Sequence, residues 1–331
     1  MGDRQVRHML VAAKVESTYG TDAFGGSDPG AGDWIAAYAD SNIDHQRTRI
    51  ANTTVRPFHS GLTHETVGSH NDVTINLPLY GKESSAGDPP PSLSGLFQAA
   101  GLEEEVNAST SVVYAPVTFH TMAAAPSVSI YTAEYVTDGT VRTHLTTGVR
   151  LNFTLTASGD QHVRLSFTGI GLYSEPDAAA GAAPSNPSSY SGGKSPMLSQ
   201  GMTHSRAAES AALQEFELST NWSLEENRNI TGANSLDRVD LIRGEDSNVG
   251  GSTTFSDSDE LQVALTDFAA DTEAAMIASW TDGTDTVAIN APAVQLDKPS
   301  KSKGNTHSFA QPFTCNANSS DGEDEFTITF T

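Results

Sequence analysis

The chain has 331 residues and a formal net charge of −23, from 41 acidic and 18 basic side chains. A surface this acidic excludes tight binding to nucleic-acid phosphates, which takes clustered Lys and Arg, and adhesion to an anionic membrane. Hydrophobic residues make up 37% and charged residues only 18%, so much of the polarity comes from Ser, Thr, Asn and Gly, as in a β-rich protein with many turns.

At roughly 150 residues per domain, the length suggests two domains. The acidic, lysine-poor composition fits either adaptation to high salt or a surface that repels a polyanion. Cys315 is the only cysteine, so no disulfide forms within the chain, and its apolar neighbours mark it as a small core residue. The first residues carry no long apolar stretch, and no run approaches a membrane span. The expectation is assembly in a cytoplasm without export.

Residues 1–40 read as an N-terminal arm. His8–Val15 is a short strand, and the Gly-, Asp- and Pro-rich stretch after it is loop. Trp34, Ile35 and Tyr38 are candidate anchors, either on a neighbouring surface or on the arm's own domain. A first β unit spans 41–173, with strands at Asn42–Phe58 and Asn71–Tyr80. His59, His64, Glu65 and His70 lie between or beside them, but their spacing matches no metal motif, and no metal or other cofactor is expected. Asp88-Pro89-Pro90-Pro91 stops the preceding strand. Ser92 then stands as N-cap of a short helix with Leu93, Leu96 and Phe97 on its packed face and Gly101 as its end signal. Val112–Pro116 is a strand. Pro126–Tyr173 alternates through Val149, Leu151, Phe153, Leu155, Val163, Leu165 and Phe167, the pattern of strands with one buried face. With turns at Thr137-Asp138-Gly139 and Ser158-Gly159-Asp160 it reads as a four-stranded meander.

Residues 174–212 are rich in Ala, Ser, Pro and Gly and read as a flexible linker or inter-subunit arm. Gly193-Lys194-Ser195 lacks the spacing of a phosphate-binding loop. A second β unit spans 213–331. Gln214–Leu224 is its clearest strand: Phe216, Leu218, Trp222 and Leu224 alternate with Glu215, Glu217, Ser219 and Asn221. A long loop leads to a strand at Asn248–Phe255. The helix Asp257–Ala270 follows, with Leu261, Leu265 and Phe268 as packing residues. Hairpins are expected at Ala274–Asn290 and Val294–Thr314, the second turning at Lys303-Gly304, and Glu325–Phe330 is the last strand. Thr137-Asp138-Gly139 and Thr281-Asp282-Gly283 fall at similar places in the two halves, which suggests an internal duplication. The acidic pairs Glu103–Glu105, Glu225-Glu226 and Asp321–Asp324 read as solvated turns. No nucleophile elbow, HExxH or other catalytic constellation is present.

Three stretches carry a family resemblance. VAAKVESTYGTDAF near the start, and the order PSLSGLFQAAGLEEEV, VVYAPV, PSVSIY and DGTVRTHLTTGVRLNFTLTASGDQHVRLSFTGIGLYSEP, resemble tail tube (major tail) proteins of long-tailed, siphovirus-like bacteriophages. AAMIASWTDGTDTVAINAPAVQL is similar to the end of such proteins. The resemblance covers most of the chain and rests on order and texture. It implies a mainly β fold: two tandem tail-tube-like β-sandwich or half-barrel units, each with one short packed helix, plus the N-terminal arm and the Ala/Ser/Pro/Gly-rich linker. It also implies a non-enzymatic structural virion protein of the tail, assembled in the host cytoplasm. Its partners would be copies of itself in stacked rings, a tape-measure protein and transiting DNA in the lumen, and no membrane. A duplicated chain favours a trimeric ring with pseudo-sixfold symmetry, with a hexamer second. Glu215, Glu217, Ser219 and Asn221 are the candidate lumen-facing residues, the alternative being a solvated outer face. A secreted carbohydrate-binding or adhesin-like β module is the competing reading, and a β-sandwich hydrolase is a third.

Overall fold

In the computed structural model the described residues are 9–30, 32–51, 64–117, 126–135, 141–175, 194–206, 213–228, 236–242, 248–256, 260–303, 307–319, 322 and 324–331. The first half runs β1 (Met9–Val15), β2 (Ile35–Ala37), β3 (Asn42–Ile50), β4 (Glu65–Pro78), α1 (Leu93–Ala99), β5 (Leu102–Asn107), β6 (Ser111–Pro116), β7 (Val128–Tyr135), β8 (Val141–Ser158) and β9 (Arg164–Leu172). The second half runs β10 (Thr203–Arg206), β11 (Leu213–Thr220), β12 (Ser223–Arg228), β13 (Leu236–Ile242), β14 (Val249–Ser256), α2 (Glu260–Ala269), β15 (Glu273–Thr281), β16 (Thr286–Leu296), β17 (Ser300–Lys303), β18 (His307–Cys315) and β19 (Thr327–Phe330). The protein is mainly β and its pairings are antiparallel.

Following the pairings gives one continuous eight-stranded sheet in the order β3-β4-β9-β8-β11-β14-β18-β17. The junction between the halves is the β8–β11 pair, with Ser158 opposite Glu215 and Thr154 opposite Ser219. A second layer is formed by β10-β15-β16-β19-β6-β5, in which the last strand again joins the two halves. The arm adds β2-β1-β7, which pairs onto the first part of β8.

β8 is one long strand where two were expected, so the described residues of Pro126–Tyr173 hold three strands rather than four. It serves two sheets by bending at Gly148, whose φ of 63° suits a residue without Cβ. The buried Glu16 carboxylate secures that bend: it accepts from Gly148 N at 2.7 Å, Ser129 Oγ at 2.8 Å, Ser127 Oγ at 2.6 Å and Gly20 N at 2.7 Å.

The core runs between the layers, and α1 lies inside it. Leu93, Leu96 and Phe97 are all buried. The Phe97 ring meets Tyr114, Phe153, Phe167 and Phe330 at centroid distances of 4.9 to 6.2 Å, so it touches both halves. Ser92 does not cap the helix. Its φ is 58° and its hydroxyl is engaged by the arm, accepting from Ala13 N and donating to Asp33 O. Gly101, with φ 74°, does end it. A side chain there would run into Trp222 and Leu241.

Several further expectations change. On α2 the packed residue is Ala264, with Leu261 half-buried, while Leu265 and Phe268 are 39% and 36% exposed. The helix rests on the sheet by its small residue, which turns the larger ones outward. Trp34 and Ile35 are buried on their own chain: Trp34 packs with Leu10, Ala12 and Tyr131, and Ile35 pairs with Val11. Tyr38 is half-buried under Arg164. Glu103–Glu105 and Glu225-Glu226 lie on β5 and β12, not in turns. The stretch after Leu224 is no simple loop, because β12 and β13 form a separate two-stranded ribbon. Val294–Leu296 is the end of β16 and pairs with β18.

Within the expected linker, residues 194–206 are packed. Met197 is buried, β10 pairs with β15, and the Lys194 ammonium donates to Asp285 Oδ2 at 2.6 Å. Residues 176–193 and 207–212 of that stretch, His59, Asp321, the Thr137–Gly139 turn and the turn at Gly304 lie outside the described residues. Thr281-Asp282-Gly283 lies at the turn between β15 and β16 in the second layer. The two halves agree in strand order. Each four-strand block places its first, second, last and third strands side by side: β3-β4-β9-β8 and β11-β14-β18-β17.

Candidate functional site

The eight-stranded sheet has one apolar and one polar face, because its strands alternate in register. Leu151, Phe153, Leu155, Leu165, Phe167, Phe216, Leu218 and Phe255 are buried on the core side. The opposite face carries Asn152, Thr154, Thr156 and Ser158 from β8, which stand opposite Thr168, Ser166 and Arg164 of β9 on one side and Ser219, Glu217 and Glu215 of β11 on the other. The pattern continues into β14, where Ser252 faces Glu217 and Thr254 faces Glu215. On the far side it reaches Asp72 and Thr74 of β4 and Asp44 and Asn42 of β3.

The four sequence candidates for this face therefore sit on and beside its central strand. Glu215 is exposed and Glu217 and Ser219 are half-buried in the sheet surface. Asn221 is exposed just past the end of β11. Glu217, Ser219 and Asn221 border a depression of about 440 Å³ shared with Asn248, Ser252, Asp297 and Thr314. The other candidates lie elsewhere: the packing residues on α1 and α2, and Trp34, Ile35 and Tyr38 under the arm. The polar residues of β8 and β14 were missed as site residues. Their signal was present as the alternate positions of the same strands whose apolar positions were read.

The electrostatics of the face are one-sided. Arg164 is already paired with Asp40, and His70 lies between Asp72 at 3.3 Å and Glu226 at 3.2 Å. Glu215 and Glu217 have no ion-pair partner among the described residues. Carboxylates interspersed with hydroxyls on a rigid sheet hold water and repel anions, within a screening length of about 8 Å at physiological salt.

Two reactive residue types lie off this face and are held in unreactive states. Burial pushes the Cys315 thiol up to about 12, far from a nucleophilic thiolate. His204 lies beside a second depression, of about 690 Å³, beyond the ends of β8 and β11. Burial and the neighbouring Arg206 push it down to about 4, so it is neutral at neutral pH. Among the described residues no three His, Cys, Asp or Glu side chains converge as a metal site would require, and no helix is long and apolar enough to cross a membrane.

A family model described as phage tail tube protein matches residues 7–317. No curated protein matches the chain at a significant level.

Proposed function

The chain belongs to the phage tail tube protein family, and on that premise we propose that three copies close head to tail into a ring whose bore is the polar face of the eight-stranded sheet. As a member it is a structural component of the virion tail, with a non-catalytic role. The observation that carries the ring proposal is the sheet itself. It runs unbroken through both halves, is mostly polar on one side, where Ile170, Ala310 and Pro312 interrupt the polar residues, and ends in two edges. Among the described residues β3 pairs only with β4, and β17 only with β18. With every pairing antiparallel, the eight strands alternate in direction, so β3 and β17 run oppositely. An antiparallel β17–β3 pairing between neighbours therefore needs no reversal, and it consumes edges that would otherwise be sticky. Repetition of one head-to-tail contact closes a ring.

Geometry favours three copies over six. Strands spaced ~4.8 Å apart and tilted ~40°, eight from each of three copies, close at about 50 Å between opposite backbones. Six copies of the same sheet would roughly double that bore. In this arrangement each chain supplies two tandem units, giving pseudo-sixfold symmetry, and the hexamer is the lesser alternative. Stacked rings would form the tube, with the tape-measure protein and then DNA in the lumen. Duplex DNA carries one charge per ~1.7 Å of axis, so a wall of carboxylates and hydroxyls would let it slide without sequence-specific contact. Electron microscopy of the purified protein, with symmetry determined from end-on views, tests the proposal: threefold rings or tubes support it, and a lasting monomer at high concentration rejects it.

A further inference from the structure

The seam between the two halves of one chain has a second layer above the β8–β11 pairing. The β12–β13 ribbon projects from between the first and second strands of the second block and folds over the first block. There Trp222 and Leu241 pack against Gly101, at the C-terminal end of α1. The ribbon is fastened by Asn152, which exchanges hydrogen bonds with the Trp222 backbone at 2.7 and 3.1 Å, and by Val239 N donating to Tyr19 Oη at 2.8 Å. One block's hairpin thus packs on β8, β9 and β4 of the other block and reaches the residue that ends its helix.

The same parts exist in the opposite arrangement, but without each other. In the first block the hairpin between first and second strands is the outer part of β3–β4. Pairing of β4 with β9 ends at His70 opposite Leu172, while β3–β4 pairing continues to Ile50 opposite Glu65. Ile50, the last residue of β3, is 56% exposed. In the second block the helix after the second strand is α2, and its Leu265 and Phe268 are exposed, three residues apart on one side. Among the described residues, nothing within the chain brings the β3–β4 hairpin to α2.

We infer, on the footing of the ring proposed above, that the β3–β4 hairpin of a second copy docks on the C-terminal half of α2 and covers Leu265 and Phe268. The internal seam is the template. Placing β3 of the second copy beside β17, as β11 stands beside β8, carries the second copy's hairpin toward the C-terminal end of α2 as β12–β13 reaches the C-terminal end of α1. The occupant is another copy of this chain because the matching hairpin, equivalently placed in the strand order and apolar at Ile50, belongs to it. This contact would lie within a ring and not between stacked rings.

Full-length chain carrying both Ile50→Cys and Phe268→Cys tests the contact, since Cys315 is buried and its thiol unreactive. Under mild oxidation the double variant is expected to give a covalent ladder that stops at ring size, and neither single variant should do so. Rings without any ladder would overturn the contact while leaving the ring proposal intact. A ladder running past ring size would place the patch between stacked rings and also overturn it. Absence of rings from the unmodified chain would overturn both. Phe268→Asp gives a second readout. The monomer's thermal midpoint should stay unchanged while the concentration needed for ring formation rises roughly tenfold or more. Unaltered assembly of Phe268→Asp would reject the contact.

Discussion

Thr156 of β8 stands directly opposite Glu217 of β11. These two residues lie on either side of the linker between the halves, and their pairing makes one sheet of two four-strand blocks.

The proposal that Glu217 faces the lumen gives the first prediction. Glu215→Lys with Glu217→Lys reverses two unpaired charges on the polar face and leaves its apolar side untouched. Tubes of the variant should retain duplex DNA in low salt and release it in high salt, with the slope of log affinity against log salt steepened by about 0.9 for each phosphate the new lysines neutralise. Unmodified tubes should retain none. Cosedimentation across a salt series measures this, and equal behaviour of the two would put these side chains outside the bore.

The Glu16 carboxylate predicts a large stability effect from a residue far from any bore. Glu16→Ala strands the buried Gly148 amide and the Ser127 and Ser129 hydroxyls that now donate to it. Removing a charged acceptor from buried donors costs ~1–3 kcal/mol per group left unsatisfied, so a loss of about 3 kcal/mol in urea unfolding is expected. Glu16→Gln should recover part of it.

His204 predicts a pH dependence whose sign follows from its depressed pKa. Folded His204 titrates near 4, and unfolded His near 6.5. Between these values the unfolded chain binds a proton that the folded chain does not, so stability falls as pH drops from about 6.5 toward 4, and this group causes no further loss below that. The full effect is at most ~3 kcal/mol. His204→Phe should flatten this component, because the ring already packs against Phe216 and Phe255. Urea midpoints at pH 7.5 and 4.5 for both chains give the comparison, and parallel losses would exclude His204 as the source.

Asp285 is buried between Lys194 at 2.6 Å and Lys82 at 3.5 Å. It ties the turn after β15 to the loop after β4 and to the segment that carries β10. Both lysines are partly exposed, so Asp285→Asn leaves them hydrated, and the expected loss is ~2 kcal/mol, below the usual cost of breaking a fully buried pair. Limited proteolysis should cut the Lys194–Arg206 region sooner in the variant. Unchanged proteolysis would mean that the segment is held by Met197 and the β10–β15 pairing alone.

A salt series separates the two explanations of the acidic surface. If the carboxylates serve high-salt solubility, unfolding and assembly midpoints should shift strongly between dilute buffer and ~1 M salt, where the screening length falls to about 3 Å. Equal folding and assembly in both would remove that explanation and leave repulsion of a polyanion.

Alternation of apolar and polar residues determined, from the sequence alone, that the chain is mainly β and that Glu215, Glu217 and Ser219 share one side of a strand. A strand's two faces are set by its own residues, two apart. Leu93, Leu96 and Phe97 were legible as a packed face for the same local reason. Which strands become neighbours was not legible, because β8 meets β11 across a long connection, and no local pattern encodes that choice. The long span of β8 was hidden for a related reason: its continuity depends on Glu16, more than a hundred residues away, holding the bend at Gly148. Ser92 looked like a helix cap and was taken by the arm, and Leu265 and Phe268 looked like core residues although Ala264 makes the contact. Tertiary structure decided these points, because a hydroxyl or an apolar side chain can serve several partners equally well until the fold places one beside it.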